Sequence, residues 1–354
     1  MHFLLTFFQN KKRKESVVII TLSARSVAGA YAHYTENTLP VVPYARRLPV
    51  EMHAGEPEEQ ALFRALQKLG TDLIRNGAPA LARTTGSGTA NRVLVVLDSP
   101  WQETAIRIEK FEAASPFVFS KNMVTKRLSE IETTSPGKSI AEESILHTLL
   151  NGYETMSPYG KTAHRAELTI LSSLLDEQLL RKATEIVRSI FHTSQVSSVS
   201  GPSLRYQAVR NVFQHDFDTY IIDATDLPAV SFALVRKGIL IELISKQLST
   251  EKPNWSTSFT RISAEIMQKN IIPQTLFLLA PESEILMLQN GLDTNFFKSI
   301  SPGAKPPRII PIFKNNLYGF IRQGVASSAD LMLLLAVLFY QKKHLSQENS
   351  LVVN

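Results

Sequence analysis

Two hydrophobic periods alternate along this chain. Residues 17–20 form an unbroken β-branched run and 27–34 a second strand-like stretch. A third covers 41–50, where Pro43 and Pro49 place the strand toward a sheet edge. The period then lengthens. Glu56-Pro57-Glu58-Glu59 opens a helix with proline in the first turn and acids at the positive dipole end, and Leu62, Leu66, Leu69 and Leu73 give it one apolar face. Gly77 is the predicted stop, and residues 84–90, with Gly86 and Gly88, have linker composition.

A second unit starts at Arg92. Residues 93–97 are an apolar strand stopped by Ser99-Pro100, and 102–111 alternate as a strand does. A short helix is predicted over 122–131, turns at Ser135-Pro136-Gly137 and Ser157-Pro158-Tyr159-Gly160, and a strand over 166–171. Leu175, Leu179, Ile186 and Ile190 mark an amphipathic helix. After the Ser-rich stretch 193–203 come a buried strand at 219–223, a hairpin of 230–236 with 239–244 around Lys237-Gly238, and a helix over 258–269. A strand at 275–279 ends at Ala280-Pro281, and a last helix covers 328–340. No repeat of fixed short period is visible.

Composition narrows the picture. A length of 354 residues suggests about two domains, or one with a large insertion. With 44% hydrophobic and 20% charged residues the chain can bury a core. It has no cysteine, which excludes disulfides, thiolate catalysis and cysteine-ligated zinc and fits a reducing compartment. At the N-terminus Phe3, Leu4, Leu5, Phe7 and Phe8 precede Lys11, Lys12, Arg13 and Lys14. A secretory signal has the opposite order, and this apolar run is too short to cross a bilayer. The 331–340 run is also too short, so the chain is expected to be cytoplasmic.

The usual catalytic signatures are missing. There is no HExxH, no G-x-S-x-G, and Gly86-Ser87-Gly88 lacks the Lys-Ser/Thr ending of a phosphate loop. His192 and His215 read as surface or boundary residues. Asp216, Asp218, Asp223 and Asp226 read as caps, loop residues and a strand end rather than a carboxylate pair. Basic residues are spread along the chain apart from 11–14, and no basic–aromatic interleaving points to nucleic acid.

Three strand-then-turn segments, 17–24, 219–228 and 275–282, flank a small insert. That insert carries residues 93–100, Asn151-Gly152-Tyr153, Pro158-Tyr159-Gly160-Lys161 and the helix through Ile190. In this order they resemble the actin-like ATPase superfamily, and within it the bacterial FtsA/PilM group of division and type IV pilus proteins. The resemblance covers most of 16–342. It implies an α/β, two-lobed actin-like fold with ribonuclease H-like sheets and a small α+β insert subdomain. The expected division is an N-terminal apolar and basic segment at 1–15, a first lobe at 16–90, the insert at 91–192, a return to the first lobe at 193–218, a second lobe with a reduced outer subdomain at 219–345, and a tail at 346–354.

The resemblance also implies a nucleotide site, and the residues depart from it. The family's first phosphate turn reads Asp-x-Gly; here it is Thr21-Leu22-Ser23. Its second reads Asp-x-Gly-Gly-Gly-Thr; here it is Asp223-Ala224-Thr225-Asp226-Leu227-Pro228. Ala280-Pro281-Glu282 stands where a Gly-Gly turn lies against adenosine. Glycine lets backbone N–H groups approach phosphate oxygens, whereas Leu227 adds bulk and Pro228 removes a donor. Asp226 sets a negative charge where phosphate would lie, and Thr21 replaces a carboxylate that could organise Mg²⁺. Thr21, Ser23, Asp223, Thr225, Asp226 and Ala280 are therefore expected to form a degenerate site with no cofactor; ATP with Mg²⁺ is the cofactor the resemblance would otherwise imply.

Function is then expected to be non-catalytic: a scaffold linking cytoplasm to membrane machinery for pilus assembly, secretion or division. The insert and the N-terminal segment are the expected contacts. Phe3, Leu4, Phe7 and Phe8, with Lys11, Lys12, Arg13 and Lys14, would give reversible membrane recruitment or bind an apolar groove on a membrane partner. Self-association is open, and nucleic acid is not expected. Two enzyme-like alternatives are a filament-forming ATPase of the same fold and a small-molecule kinase relative. Both would need the glycine turns.

Overall fold

The computed structural model describes residues 14–129, 137–155, 157–213, 218–249 and 251–345. The chain begins with β1 (Lys14–Leu22), β2 (Ser26–Thr35) and β3 (Val41–Pro49), followed by α1 (Glu58–Asp72) and α2 (Ala78–Thr85). Then come β4 (Arg92–Leu97), β5 (Gln102–Val118), α3 (Lys121–Ser129), β6 (Lys138–Leu150), β7 (Tyr153–Glu154), β8 (Thr162–Asp176) and α4 (Glu177–Phe191). β9 (Val196–Ser200) and α5 (Gly201–Val212) lead to β10 (Thr219–Asp223), β11 (Ala229–Arg236), β12 (Ile239–Gln247), α6 (Trp255–Met267) and β13 (Thr275–Leu279). The described part ends with α7 (Ile285–Asn290), α8 (Thr294–Ile300), β14 (Arg308–Ile312), β15 (Arg322–Ser327) and α9 (Leu331–Tyr340).

The two large sheets are built alike. The first has strand order β15-β3-β2-β1-β4-β9 and the second β12-β11-β10-β13-β14. In each, the first strand pairs antiparallel with the second and parallel with the fourth: β1 with β2 and β4, β10 with β11 and β13. Three antiparallel strands followed by two parallel ones is the ribonuclease H-like pattern. Its duplication gives the two lobes of the actin-like fold. The central strands are buried on both faces, which is why 17–20 and 220–222 read as continuous apolar runs.

The first sheet gains a sixth strand late in the chain. β15 pairs parallel with β3, which carries residues 322–327 back to the first lobe although the sequence assigns them to the second. The pairing has a register shift between Gln323 and Ala326, opposite Pro43. Pro43 has no N–H to give the ladder, and Gly324 allows the close approach: a Cβ there would fall 2.9 Å from the Pro43 carbonyl oxygen.

Gly77 does not stop its helix. The chain passes from α1 through one wide turn at residues 73–77 straight into α2. Gly77 serves packing, since a Cβ there would meet the ring of Tyr31 at 2.7 Å. The stop is Gly86, at φ +82°.

The inserted sheet, in order β5-β8-β6-β7, occupies 102–176, whereas the 91–192 span expected for the insert also takes in β4 and α4. β4 belongs to the first sheet, and α4 packs on α1, with Ile190 filling the space beside Gly70. The root of the insert is tied down by Glu142 of β6. Its buried carboxylate accepts from Ser203 (3.2 Å) and Gln207 (3.4 Å) of α5 and pairs with Lys343 at 2.8 Å.

α9 explains the 331–340 run. All ten residues are buried, against α5 and the first sheet, and Tyr34 donates its hydroxyl to the Val337 carbonyl at 3.1 Å. Among the described residues no helix is long and apolar enough to cross a membrane. Leu335 is fully buried in this core. Leu335→Ala is expected to lower unfolding free energy by about 2–5 kcal/mol in urea denaturation.

Candidate functional site

The turns that follow β1 and β10 face each other across the gap between the lobes. Thr21 and Ser23 lie at the end of β1, both buried, and the Thr21 hydroxyl has no hydrogen-bond partner. Asp98 follows β4 and its N–H donates to the Leu22 carbonyl at 2.9 Å, so Asp98 sits beside the first turn. Asp223 ends β10 and Ala280 follows β13.

Between them stands Arg205, from the first turns of α5. Its guanidinium pairs with Asp98 of the first lobe at 2.7 Å and donates through Nε to Asp223 of the second. Arg205 is 4% exposed and Asp98 1%. Burial opposes the charged guanidinium, but the charges of Asp223 and then Asp98 hold its pKa above the ordinary arginine value. Gly201 makes the arrangement sterically feasible, because a Cβ there would collide with the Asp98 carboxylate and the guanidinium. Removing one member of such a buried group costs about 3–5 kcal/mol, since the others are left charged and unpaired.

The second turn has spent its donors. The Ala224 N–H donates to the Leu279 carbonyl at 2.8 Å, Thr225 N–H to the Asp223 carboxylate at 3.1 Å and Ala229 N–H to the Asp226 carbonyl at 3.0 Å. Pro228 has none, and Leu227 is buried in the second lobe's core. In the first turn the Ser23 N–H is used by the Ser26 carbonyl at 3.0 Å. Asp226 is half-buried, and its pKa is raised by burial and then by the Asp98 charge, against the pull of Arg205, Ser23 and Arg47.

These groups do not fit a triphosphate with Mg²⁺. The space beside Asp98, Arg205, Asp223 and Asp226 is about 10 Å³, room for one water at most. Three carboxyl groups share one guanidinium there, and phosphate oxygens would meet acids instead of amides. Among the described residues no group of three or more acidic or histidine side chains is placed to hold a metal ion.

The outer half of the gap is open. A cavity of about 690 Å³ is lined from the first lobe by Arg25, Ser26 and Arg47 and from the second by Thr225, Asp226 and Ala280, among others. Arg25 lies over the Trp255 ring, 5.4 Å from its centroid, and so bridges the lobes at the cavity wall. Arg47 pairs with Asp330, the N-cap of α9, at 2.5 Å, and Lys252 with Glu284 at 2.6 Å.

Of the residues singled out in the sequence, Thr225, Asp226 and Ala280 line this cavity. Asp223 instead joins Arg205, while Thr21 and Ser23 lie in the first-lobe turn. Phe3, Leu4, Phe7, Phe8, Lys11, Lys12 and Arg13 lie outside the described residues; Lys14 opens β1. Sequence reasoning missed Asp98, Gly201 and Arg205. The available signal was Arg205 itself, the charged residue on an α5 face otherwise made of Gly201, Leu204, Ala208 and Val209. A buried arginine requires anions nearby.

No family profile and no curated protein matches the chain. Among solved structures it is similar to a chain of a PilM–PilN type IV pilus biogenesis complex, with 11% identity, TM-score 0.54, and coverage of 91% of this chain and 96% of that one. It is also similar to a protein of actin-like ATPase fold and unknown function from Bacteroides thetaiotaomicron VPI-5482, at 10% identity, TM-score 0.41, and coverage of 84% and 91%. At such identities the likeness concerns the fold alone.

Asp226 yields a pH prediction. Its folded pKa is raised, so its contribution to stability is complete below the ordinary aspartate pKa of about 3.9 and is lost as pH rises through the folded value. Asp226→Asn should therefore be more stable than the parent at pH 7 in urea denaturation. The gain should disappear on acidification to about pH 3.5.

Proposed function

We propose that this chain is an actin-like scaffold that joins cytoplasmic components to a membrane-bound assembly and does not hydrolyse ATP. The observation that carries this reading is Arg205, held between Asp98 and Asp223 where the fold would otherwise need space and amide donors for phosphate. An ion group fixed by the sequence bridges the lobes there, so their closure depends on no ligand. Such a body presents constant surfaces, which suits docking better than turnover.

The setting is carried over from the solved complex, whose similar chain comes from type IV pilus biogenesis. In this reading the protein works in the cytoplasm at the inner face of a membrane. Its N-terminal apolar and basic segment is one point of contact, and a membrane-associated protein is the partner. Division machinery is the alternative setting.

A second reading has one observation in its favour. The cavity of about 690 Å³ is large enough for a nucleoside-sized ligand. A nucleotide-binding, filament-forming protein would use it, but would also have to displace Arg205 from its carboxylates.

Calorimetry of the full chain with ATP and Mg²⁺ separates the two readings. The scaffold reading predicts no saturable heat up to about 1 mM ATP, an affinity weaker than about 4 kcal/mol. Micromolar binding, or phosphate release above the uncatalysed rate, would overturn it.

A further inference from the structure

The far end of the insert carries a rigid basic and aromatic surface with no role in the cleft. β8 alone has 15 residues, so at about 3.3 Å per residue the sheet extends roughly 46 Å from root to tip. Glu142 anchors the root. The tip is formed by the β5–α3 connection and by the turns around Gly152 and Gly160, both at positive φ.

The tip is preorganised. The Phe119 N–H donates to the Lys161 carbonyl at 2.9 Å and the Gly160 N–H to the Phe119 carbonyl at 2.8 Å, stitching the two connections together. Phe119 is fully buried, edge-on to Phe111 and stacked on Tyr159 with centroids 5.8 Å apart. Tyr159 is thereby held at the surface, with the Lys121 ammonium over its ring. Tyr153 is 80% exposed and Val118 56%.

Charge is concentrated in the same place. Residues 117–127 and 151–165 carry Lys121, Lys126, Arg127, Lys161 and Arg165, all exposed, against one carboxylate, Glu154. The net charge of these two segments is +4. Glu109, on the strand behind, lies 3.7 Å from Arg127, Glu112 faces Arg165 across the β5–β8 pair, and His147 lies 3.5 Å from Glu154. Lys121 and Lys161 have no carboxylate partner among the described residues; Lys161 donates to the Thr155 hydroxyl at 2.8 Å.

We infer that this tip is a docking surface for an anionic lipid bilayer. Its lysines would lie against phosphate headgroups, and Tyr153, Tyr159 and Val118 would enter the interfacial layer. Tyrosine has an apolar ring and a polar tip suited to that layer, and basic residues add attraction to an anionic leaflet. Projecting turns with separate exposed side chains suit a broad, fluid surface. An acidic protein would call for a pocket with a central buried anchor, and the aromatic anchor here, Phe119, is already used internally. The inference goes beyond the proposed function and does not depend on the state of the cleft.

The test is cosedimentation of the full chain with vesicles of phosphatidylglycerol and phosphatidylethanolamine, and with vesicles of phosphatidylcholine alone. Binding to the anionic vesicles is expected, with little to the neutral ones and loss at high salt. The double variant Lys121→Glu with Lys161→Glu should bind the anionic vesicles at least tenfold more weakly. Lys68→Glu with Lys269→Glu, which changes net charge equally at exposed sites elsewhere, should lose much less. Matching melting temperatures of the two double variants would show that both fold. Tyr153→Ser should weaken binding without changing net charge. The N-terminal basic segment is identical in all variants, so the differences between them report on the tip. Equal losses in the two double variants, equal binding to both vesicle types, or no binding to anionic vesicles would each overturn the assignment.

Discussion

Beside the apolar core that the two sheets share, one guanidinium ties the facing turns of the two lobes together. Arg205 leaves α5 at its second turn and is shared between Asp98, just after the first-lobe strand β4, and Asp223, at the end of the second-lobe strand β10. A buried arginine with two carboxylates is stable only as a complete set, because each charge left behind would be uncompensated. Gly201 fits that arrangement, and the turn at 223–229 satisfies its own amides. The glycine makes room for the carboxylate, and the turn, with its amides used internally, has little left to offer a phosphate.

Beside its two lobes the fold carries a long side arm, the inserted sheet. The same α5 that supplies Arg205 also supplies Ser203 and Gln207 to Glu142 at the root of that arm. One helix therefore fixes both the cleft and the insert. Orientation of the arm is set by packing and by the Glu142–Lys343 ion pair.

The sheets were legible in the sequence because buried central strands have a distinctive composition. The runs at 17–20, 93–97, 219–223 and 275–279 became β1, β4, β10 and β13, and the hairpin at Lys237-Gly238 joined β11 and β12. Other features depended on tertiary contact and left a weaker trace. Gly77 resembles a helix stop, but it is a glycine only because Tyr31 and Tyr44 crowd it. β15 is a polar six-residue segment whose place beside β3 is set by the bulge opposite Pro43. The loss of the glycine turns was plain in residues 223–228. What had replaced them was not, since Asp98 and Arg205 lie 107 residues apart and only the fold brings them together.

Hydrogen exchange in Arg205→Ala, compared with the parent chain and without nucleotide, tests this account most directly. If Arg205 holds the lobes, the amides of both facing turns, 21–26 and 223–229, lose protection together in the variant, while the insert tip around Phe119 keeps its own. Unchanged protection in both turns, or loss confined to one lobe, would contradict the claim that this ion group takes the nucleotide's place between them.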